Sequence, residues 1–172
     1  MKRLVRDLIR QKKGLSSFAQ VKPEASIFEA LTILENTKSS AILVIKDKKL
    51  MGIFSERDFA RATINKGMPL SASVASVMTP EVYYVDPCFT LEECLHVMSN
   101  LHVRHLPVIE NGEPIALLSM RHIMQILVDD KESQIRDLTT YITGSSQILE
   151  STELQRNPKV LVHFSTQSQE EL

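Results

Sequence analysis

The sequence predicts an α+β fold in which one small unit is used twice in a pseudo-twofold arrangement. Three observations predict it. Displaced by 64 positions, segment 21–64 lies on segment 85–128 without a gap. Each segment alternates helix-period apolar spacing with short runs rich in β-branched residues. Polar turns separate those runs. Identity between the copies is low, but Val21-Lys-Pro meets Val85-Asp-Pro, and Ile27, Leu31 and Leu34 meet Leu91, Leu95 and Met98. Ile42, Val44 and Ile45 meet Leu106, Val108 and Ile109, Ser55 meets Ser119, and Phe59 meets Ile123. A repeat of this length is a duplicated supersecondary unit that buries a shared face, and two copies fit a compact pair rather than a solenoid.

The elements follow in order. Val21-Lys22-Pro23 opens the first unit as an extended piece, because proline biases the preceding residue away from helix. Ser26 with Glu29 three residues on is a capping-box signature, and Ile27, Ala30, Leu31 and Leu34 continue at helical spacing. Residues 41–45, AILVI, form a buried strand. The polar turn KDKK leads to a second strand, Leu50 to Phe54, giving a hairpin. A helix starts at Ser55 and turns Phe59, Ala62 and Thr63 inward. The second unit gives a helix over 91–101, strands over 105–109 and 114–118, and a helix over 119–128. Its turn contains Asn111-Gly112, a strong hairpin signal.

Composition narrows the function. The 172 residues are 43% hydrophobic and 24% charged, with net charge -1. That balance supports a real core and gives no global field favouring nucleic acid. No apolar run approaches the roughly 18 residues of a membrane span, and the charged start, MKRLVRDLIRQKKG, lacks the apolar core of a secretory signal. Cys88 and Cys94 lack zinc spacing and read as reduced thiols in a cytoplasmic protein, with Cys94 in the core. The histidines His96, His102, His105, His122 and His163 do not converge at metal-ligand spacing. No glycine-rich phosphate loop occurs, and no Ser/His/Asp arrangement is legible. Glu92 and Glu93 suit a helix start better than a catalytic pair.

The stretches SSAILVIKDKKLMGIFSERDFAR and VRHLPVIENGEPIALLSMRHI, joined through VASVMTP, resemble the CBS domain in tandem, the arrangement called a Bateman module. VRDLIRQKKG and DLTTYITG extend the likeness over roughly residues 1–144. The resemblance implies a β-α-β-β-α unit used twice, with two small sheets packed together and helices outside. It also implies homodimers, regulation rather than catalysis, and binding of an adenosine-containing ligand: AMP, ADP, ATP, NAD or S-adenosylmethionine. No cofactor is required, no membrane or nucleic-acid contact is expected, and the regulated protein is unnamed by the sequence.

An adenosine ligand asks for apolar walls and backbone amides at its base, a carboxylate at the ribose diol, and hydroxyl or cationic groups at phosphate. A first site gathers these from Ile42 and Ile53 as walls and Ser39, Ser40 and Ala41 as strand-entry backbone. By resemblance, Asp58 holds the ribose and Ser55 the ribose or phosphate, and Val77, Met78 and Thr79 close the site. By itself Ser55-x-x-Asp58 favours a helix cap; the resemblance favours a ligand, and both can hold. A second site departs from the pattern. Ser119 keeps the serine, His122 stands where the ribose carboxylate belongs, and Ala116 replaces Gly52. Arg104, His105 and Arg121 add positive charge there, so this site binds an anionic ligand differently or has lost nucleotide binding, and weakened or altered binding is favoured. Arg104-His105 also reads as a strand-entry pair bonding backbone.

The ends are read as docking segments. Leu4, Val5, Leu8 and Ile9 form one apolar face, with Lys2, Arg3, Arg6, Arg10, Lys12 and Lys13 mostly opposite; docking against the module is favoured over a membrane surface or nucleic acid. Ile135, Leu138, Tyr141 and Ile142 suggest a helix ending at Gly144. The organisation is then a docking helix and linker over 1–20, the units over 21–80 and 81–130, a helix over 131–144, and a polar, partly disordered tail over 145–172 carrying one apolar island, Val160 to Phe164. The reading is a non-catalytic adenosine-ligand sensor. A CBS scaffold working through protein contacts without nucleotide is the first alternative, and a nucleotide-acting enzyme the second.

Overall fold

The structure of the protein, a computed structural model, describes residues 3–11 and 18–143, without the side chains at 65, 66, 140, 142 and 143. The expected stop at Gly144, the tail with its apolar island, and Lys2, Lys12 and Lys13 lie outside the described residues. The chain divides into two compact units, Met1–Asp129 and Asp130–Leu172. The first holds both repeats; in the second, the described residues are the end of the last helix.

The element order is α1 (Val5–Arg10), β1 (Gln20–Val21), α2 (Ile27–Thr37), β2 (Ala41–Lys46), β3 (Lys49–Ser55), α3 (Glu56–Lys66), a 3-10 turn (Val74–Ser76), α4 (Leu91–Asn100), β4 (His105–Glu110), β5 (Glu113–Ser119) and α5 (Met120–Thr143). The first sheet has the order β1-β2-β3, with β1 parallel to β2. The second pairs β4 with β5, and a single parallel bridge from Val85 to Val108 repeats the β1 contact. The sheets pack with β3 against β5. This is the duplicated α+β fold that the repeat implies.

Local chemistry sets the elements. Ser26 and Glu29 form the expected capping box, with Glu29 Oε2 accepting from Ser26 N at 2.7 Å and Oγ at 2.8 Å. Those bonds hold the Glu29 carboxyl below its usual range. Thr90 and Glu93 form the same box at α4, so Glu93 caps a helix. Both hairpins close on two residues with positive φ: Asp47 and Lys48 at 48° and 63°, Asn111 and Gly112 at 53° and 81°. The register of both hairpins shifts at one equivalent place, after Val44 and after Val108, which leaves Met51 and Ile115 as the extra residues of matched bulges.

The cores repeat as well. Val21, Ile27, Ala30, Leu34, Ile42, Val44 and Phe54 fill the first; Val85, Leu91, Cys94, Met98, Leu106, Val108 and Leu118 fill the second. Cys94 is fully buried, and burial with the neighbouring Glu93 and Asp86 carboxylates raises its thiol pKa to about 11. Thr63 is exposed rather than inward: Phe59 and Ala62 already span the inner face of α3, and Thr63 falls beside it.

Each core is completed by a segment from elsewhere in the chain. Val74 N–H donates to Ala25 O at 2.8 Å, Ala75 N–H to Pro23 O at 3.0 Å, and Ala72 O accepts from Ile27 N–H at 2.9 Å. At the equivalent places of the second repeat, Val5 N–H donates to Phe89 O at 2.9 Å, Arg6 N–H to Pro87 O at 2.9 Å, and Arg3 O accepts from Leu91 N–H at 3.0 Å. The start of the chain thus finishes the second repeat, and the linker finishes the first. Val5 and Leu8 are fully buried in that core, so the apolar face of α1 is already covered.

One helical expectation is corrected. The helix over 119–128 and the later one are a single helix, α5. No glycine or proline separates them, and Gln125 Nε2 donates to Asp129 Oδ1 at 2.9 Å one turn on, so nothing stops propagation through the charged stretch. No helix among the described residues is long and apolar enough to cross a membrane.

Candidate functional site

The junction of β3 and α3 holds the one buried carboxylate among the described residues. Asp58 is 7% exposed. Its Oδ2 accepts from Ser55 N at 2.9 Å and from Ser55 Oγ at 2.6 Å, and its Oδ1 accepts from Thr79 Oγ1 at 3.0 Å. Asp58 therefore caps α3 from inside and also fastens the linker between the repeats. A carboxylate offers about four acceptor positions, and three donors use them here.

Thr79 reaches Asp58 because its backbone is held. After the 3-10 turn the linker extends and pairs with β3: Ile53 N–H donates to Thr79 O at 3.0 Å, and Thr79 N–H to Ile53 O at 2.9 Å. Gly52 makes room for it. A Cβ on Gly52 would meet Met78 Sδ at 2.7 Å and Thr79 O at 2.8 Å. The second repeat carries Ala116 here without conflict, because α1, the equivalent of the linker segment, stays helical through Arg10. The glycine-to-alanine difference between the repeats thus reports which of them has a strand laid across β3 or β5.

A cavity of about 280 Å³ opens over this junction. The first repeat and linker contribute Ile53, Ser55, Arg57, Asp58, Arg61, Thr79, Glu81, Val82 and Tyr83; the second contributes His102, Val103, Arg104 and His105. Of the residues singled out in the sequence, Ile53, Ser55, Asp58, Thr79, Arg104 and His105 come together. Ser39, Ser40, Ala41, Met78, Ser119 and His122 do not line this cavity. Ile42 is fully buried in the first core, not a ligand wall. Met78 packs against that core and beneath Gly52.

The strand-entry residues of the second repeat reach toward the first. Arg104 and His105 line the cavity with Asp58 while staying beside the second junction, His105 paired in register with Ser119 and Arg104 O accepting from Met120 N–H at 2.9 Å. The pseudo-twofold relation is the reason: each β-entry segment turns toward the other repeat. His105 shows the crossing directly, with Nε2 2.9 Å from Ser40 Oγ. Burial, and secondarily Arg104, lowers the His105 pKa, so the ring is neutral at neutral pH. In the second repeat the Ser119 hydroxyl accepts from His122 N–H at 3.3 Å; this is an ordinary cap, with a histidine in place of the carboxylate.

Arg57, Arg61, His102 and Tyr83 were missed in the sequence. A signal existed for the first two: they are four residues apart on a helix that begins at Ser55, hence neighbours on one face. His102 and Tyr83 carry no such signal, because loop geometry brings them in; His102 sits at φ 54°.

The comparisons with known proteins agree with this architecture. The family model described as CBS domain matches residues 5–65 and 74–129. The crystallised CBS-domain protein NE2398 is 34% identical, with TM-score 0.68 over 73% of this chain and 98% of its own. A crystal structure of CBSX2 in complex with AMP is 26% identical, with TM-score 0.60 over 75% of this chain and 98% of its own. The mitochondrial CBS domain-containing protein CBSX3 of Arabidopsis thaliana is 26% identical over 125 residues, which is 69% of this chain but 61% of that relative's length.

Proposed function

Because the chain belongs to the CBS-domain family and carries that domain in tandem, we propose that it is a non-catalytic sensor binding an adenosine-containing ligand between its repeats. The observation that carries this reading is the single cavity that joins Ser55, Asp58 and Thr79 of one repeat to Arg104 and His105 of the other. Asp58 accepts the ribose hydroxyls, and Ser55 and Thr79 reorient from Asp58 toward ribose or phosphate as it does so. Ile53 and Val103 are apolar walls for the base. The bound AMP of CBSX2 supports the ligand class.

The output is a population shift. A ligand touching both repeats stabilises the arrangement that presents both sets of groups, and a partner protein reads the resulting surface. Ligand entry also competes for Asp58 with Thr79, which couples occupancy to the linker. The second site, built around Ser119 and His122, binds more weakly or differently, since an imidazole offers at most one acceptor and cannot bridge a diol as a carboxylate does. We place the protein in the cytoplasm, in keeping with one exposed and one buried free thiol. It acts as a homodimer, for which exposed Ile135, Leu138 and Tyr141 on α5 offer apolar surface.

A thermal-shift screen of AMP, ATP, NAD and S-adenosylmethionine tests the reading. A stabilisation that saturates with at least one of them is expected. No shift with any would favour the scaffold that works by protein contacts alone. Turnover of a bound nucleotide would favour an enzyme.

A further inference from the structure

We propose that this site selects a ligand with a chain of two or more phosphates, such as a nucleoside di- or triphosphate, over a monophosphate or a phosphate-free adenosine derivative. The inference rests on the adenosine-ligand reading above and concerns what the rest of the ligand must carry. Three guanidinium groups, Arg57, Arg61 and Arg104, line the one cavity. All three are exposed, and none has a hydrogen bond or ion pair with another described residue.

The acids of the cavity do not neutralise them. Asp58 is turned inward and used by Ser55 and Thr79. Glu81 is exposed and makes no ion pair among the described residues. His102, His105 and Tyr83 complete the ionisable lining, and His105 is held neutral by burial and by Arg104. The chain as a whole is slightly acidic, at -1, so three cations against two carboxylates make a local positive field.

Geometry separates phosphate counts. Arg57 and Arg61 stand one helical turn apart on α3, about 6 Å along its axis, and Arg104 approaches from the other repeat. Guanidinium forks bind phosphate oxygens in pairs. A single phosphate beside the ribose engages one or two of these forks, whereas a chain leading out from Ser55 engages all three. It also ties α3 to the start of β4. A ligand such as S-adenosylmethionine, with a sulfonium cation, places positive charge among them and is disfavoured.

The test is calorimetric titration of the full chain with adenosine, AMP, ADP and ATP in magnesium-free buffer, repeated with Arg57→Gln, Arg61→Gln and the double variant. ATP is expected to bind at least tenfold more tightly than AMP, and that ratio to collapse toward one in the double variant and at high salt. Circular dichroism checks that α3 persists. Equal affinity for AMP and ATP in the parent overturns the inference and leaves the adenosine reading in place. A ratio that survives in the double variant also overturns it. Failure of every adenosine-containing ligand to bind overturns the adenosine reading, and this inference with it.

Discussion

Thr79 and Asp58 are joined by a 3.0 Å hydrogen bond from the Thr79 hydroxyl to Asp58 Oδ1, which ties the linker between the repeats to the helix start of the first. The second repeat has neither partner: Arg10, which aligns with Thr79, is still helical, and His122 stands at the place of Asp58. The two halves of a pseudo-symmetric fold therefore differ at this junction both in chemistry and in the backbone laid beside it.

Gly52→Ala forces a methyl group into Met78 Sδ and Thr79 O. Overpacking of this kind costs about 1–3 kcal/mol. Urea denaturation should register that loss, and the displaced linker should weaken ligand binding in the same variant. Ala116→Gly is the control. It costs about 1 kcal/mol through backbone entropy and leaves the ligand site alone. Unchanged stability in Gly52→Ala would show that the linker does not hold this position.

Leu8→Ala tests whether the start of the chain belongs to the second repeat. Leu8 is fully buried among Val85, Leu91 and their neighbours. Removing a buried leucine side chain costs about 2–5 kcal/mol. The unfolding midpoint should fall accordingly. A helix that only touched a membrane surface would leave the midpoint where it is.

Lys48→Gly should stabilise the protein. Lys48 has φ 63° at the second position of a two-residue hairpin turn, where the matching turn carries Gly112. Relief of a left-handed non-glycine residue costs about 1 kcal/mol less on folding. The lost Lys48–Glu113 ion pair, 3.2 Å long and exposed on both sides, contributes little. A rise of a few degrees in Tm is expected; a fall would mean that the ion pair outweighs the strain.

His105 makes stability depend on pH. Its folded pKa lies below the ordinary 6.5, so between those two values the unfolded chain binds more protons than the folded one. Its contribution is intact above the unfolded pKa and is lost as pH falls toward the folded pKa. Denaturation of the parent and of His105→Gln from about pH 8 to about pH 5 should give a steeper acid-side loss in the parent. Parallel curves would remove His105 as the cause.

Much of the fold was legible because two signals repeated. Ser26 with Glu29 announced α2, Asn111-Gly112 announced the second hairpin, and the paired apolar positions placed both cores. The continuity of α5 was not legible, since its charged middle interrupts the apolar pattern without carrying a helix breaker. The assignment of α1 to the second repeat was hidden by order in the chain: the segment precedes the first repeat and completes the other. The site was half legible. Ser55, Asp58 and Thr79 belong to one local stretch and its docked linker, and the sequence displays them as a motif. Arg104 and His105 join them only through the pseudo-twofold axis, which a linear alignment of the repeats shows as equivalence and not as contact.

The most direct test of the central claim is isothermal titration of an adenosine-containing ligand against the parent, Asp58→Asn and His122→Ala, with thermal unfolding as the control for folding. The account predicts a loss of about tenfold or more, about 1.4 kcal/mol, in Asp58→Asn, and a change within about twofold, about 0.4 kcal/mol, in His122→Ala. Equal losses in the two variants, or a parent that binds no adenosine-containing ligand, would contradict it.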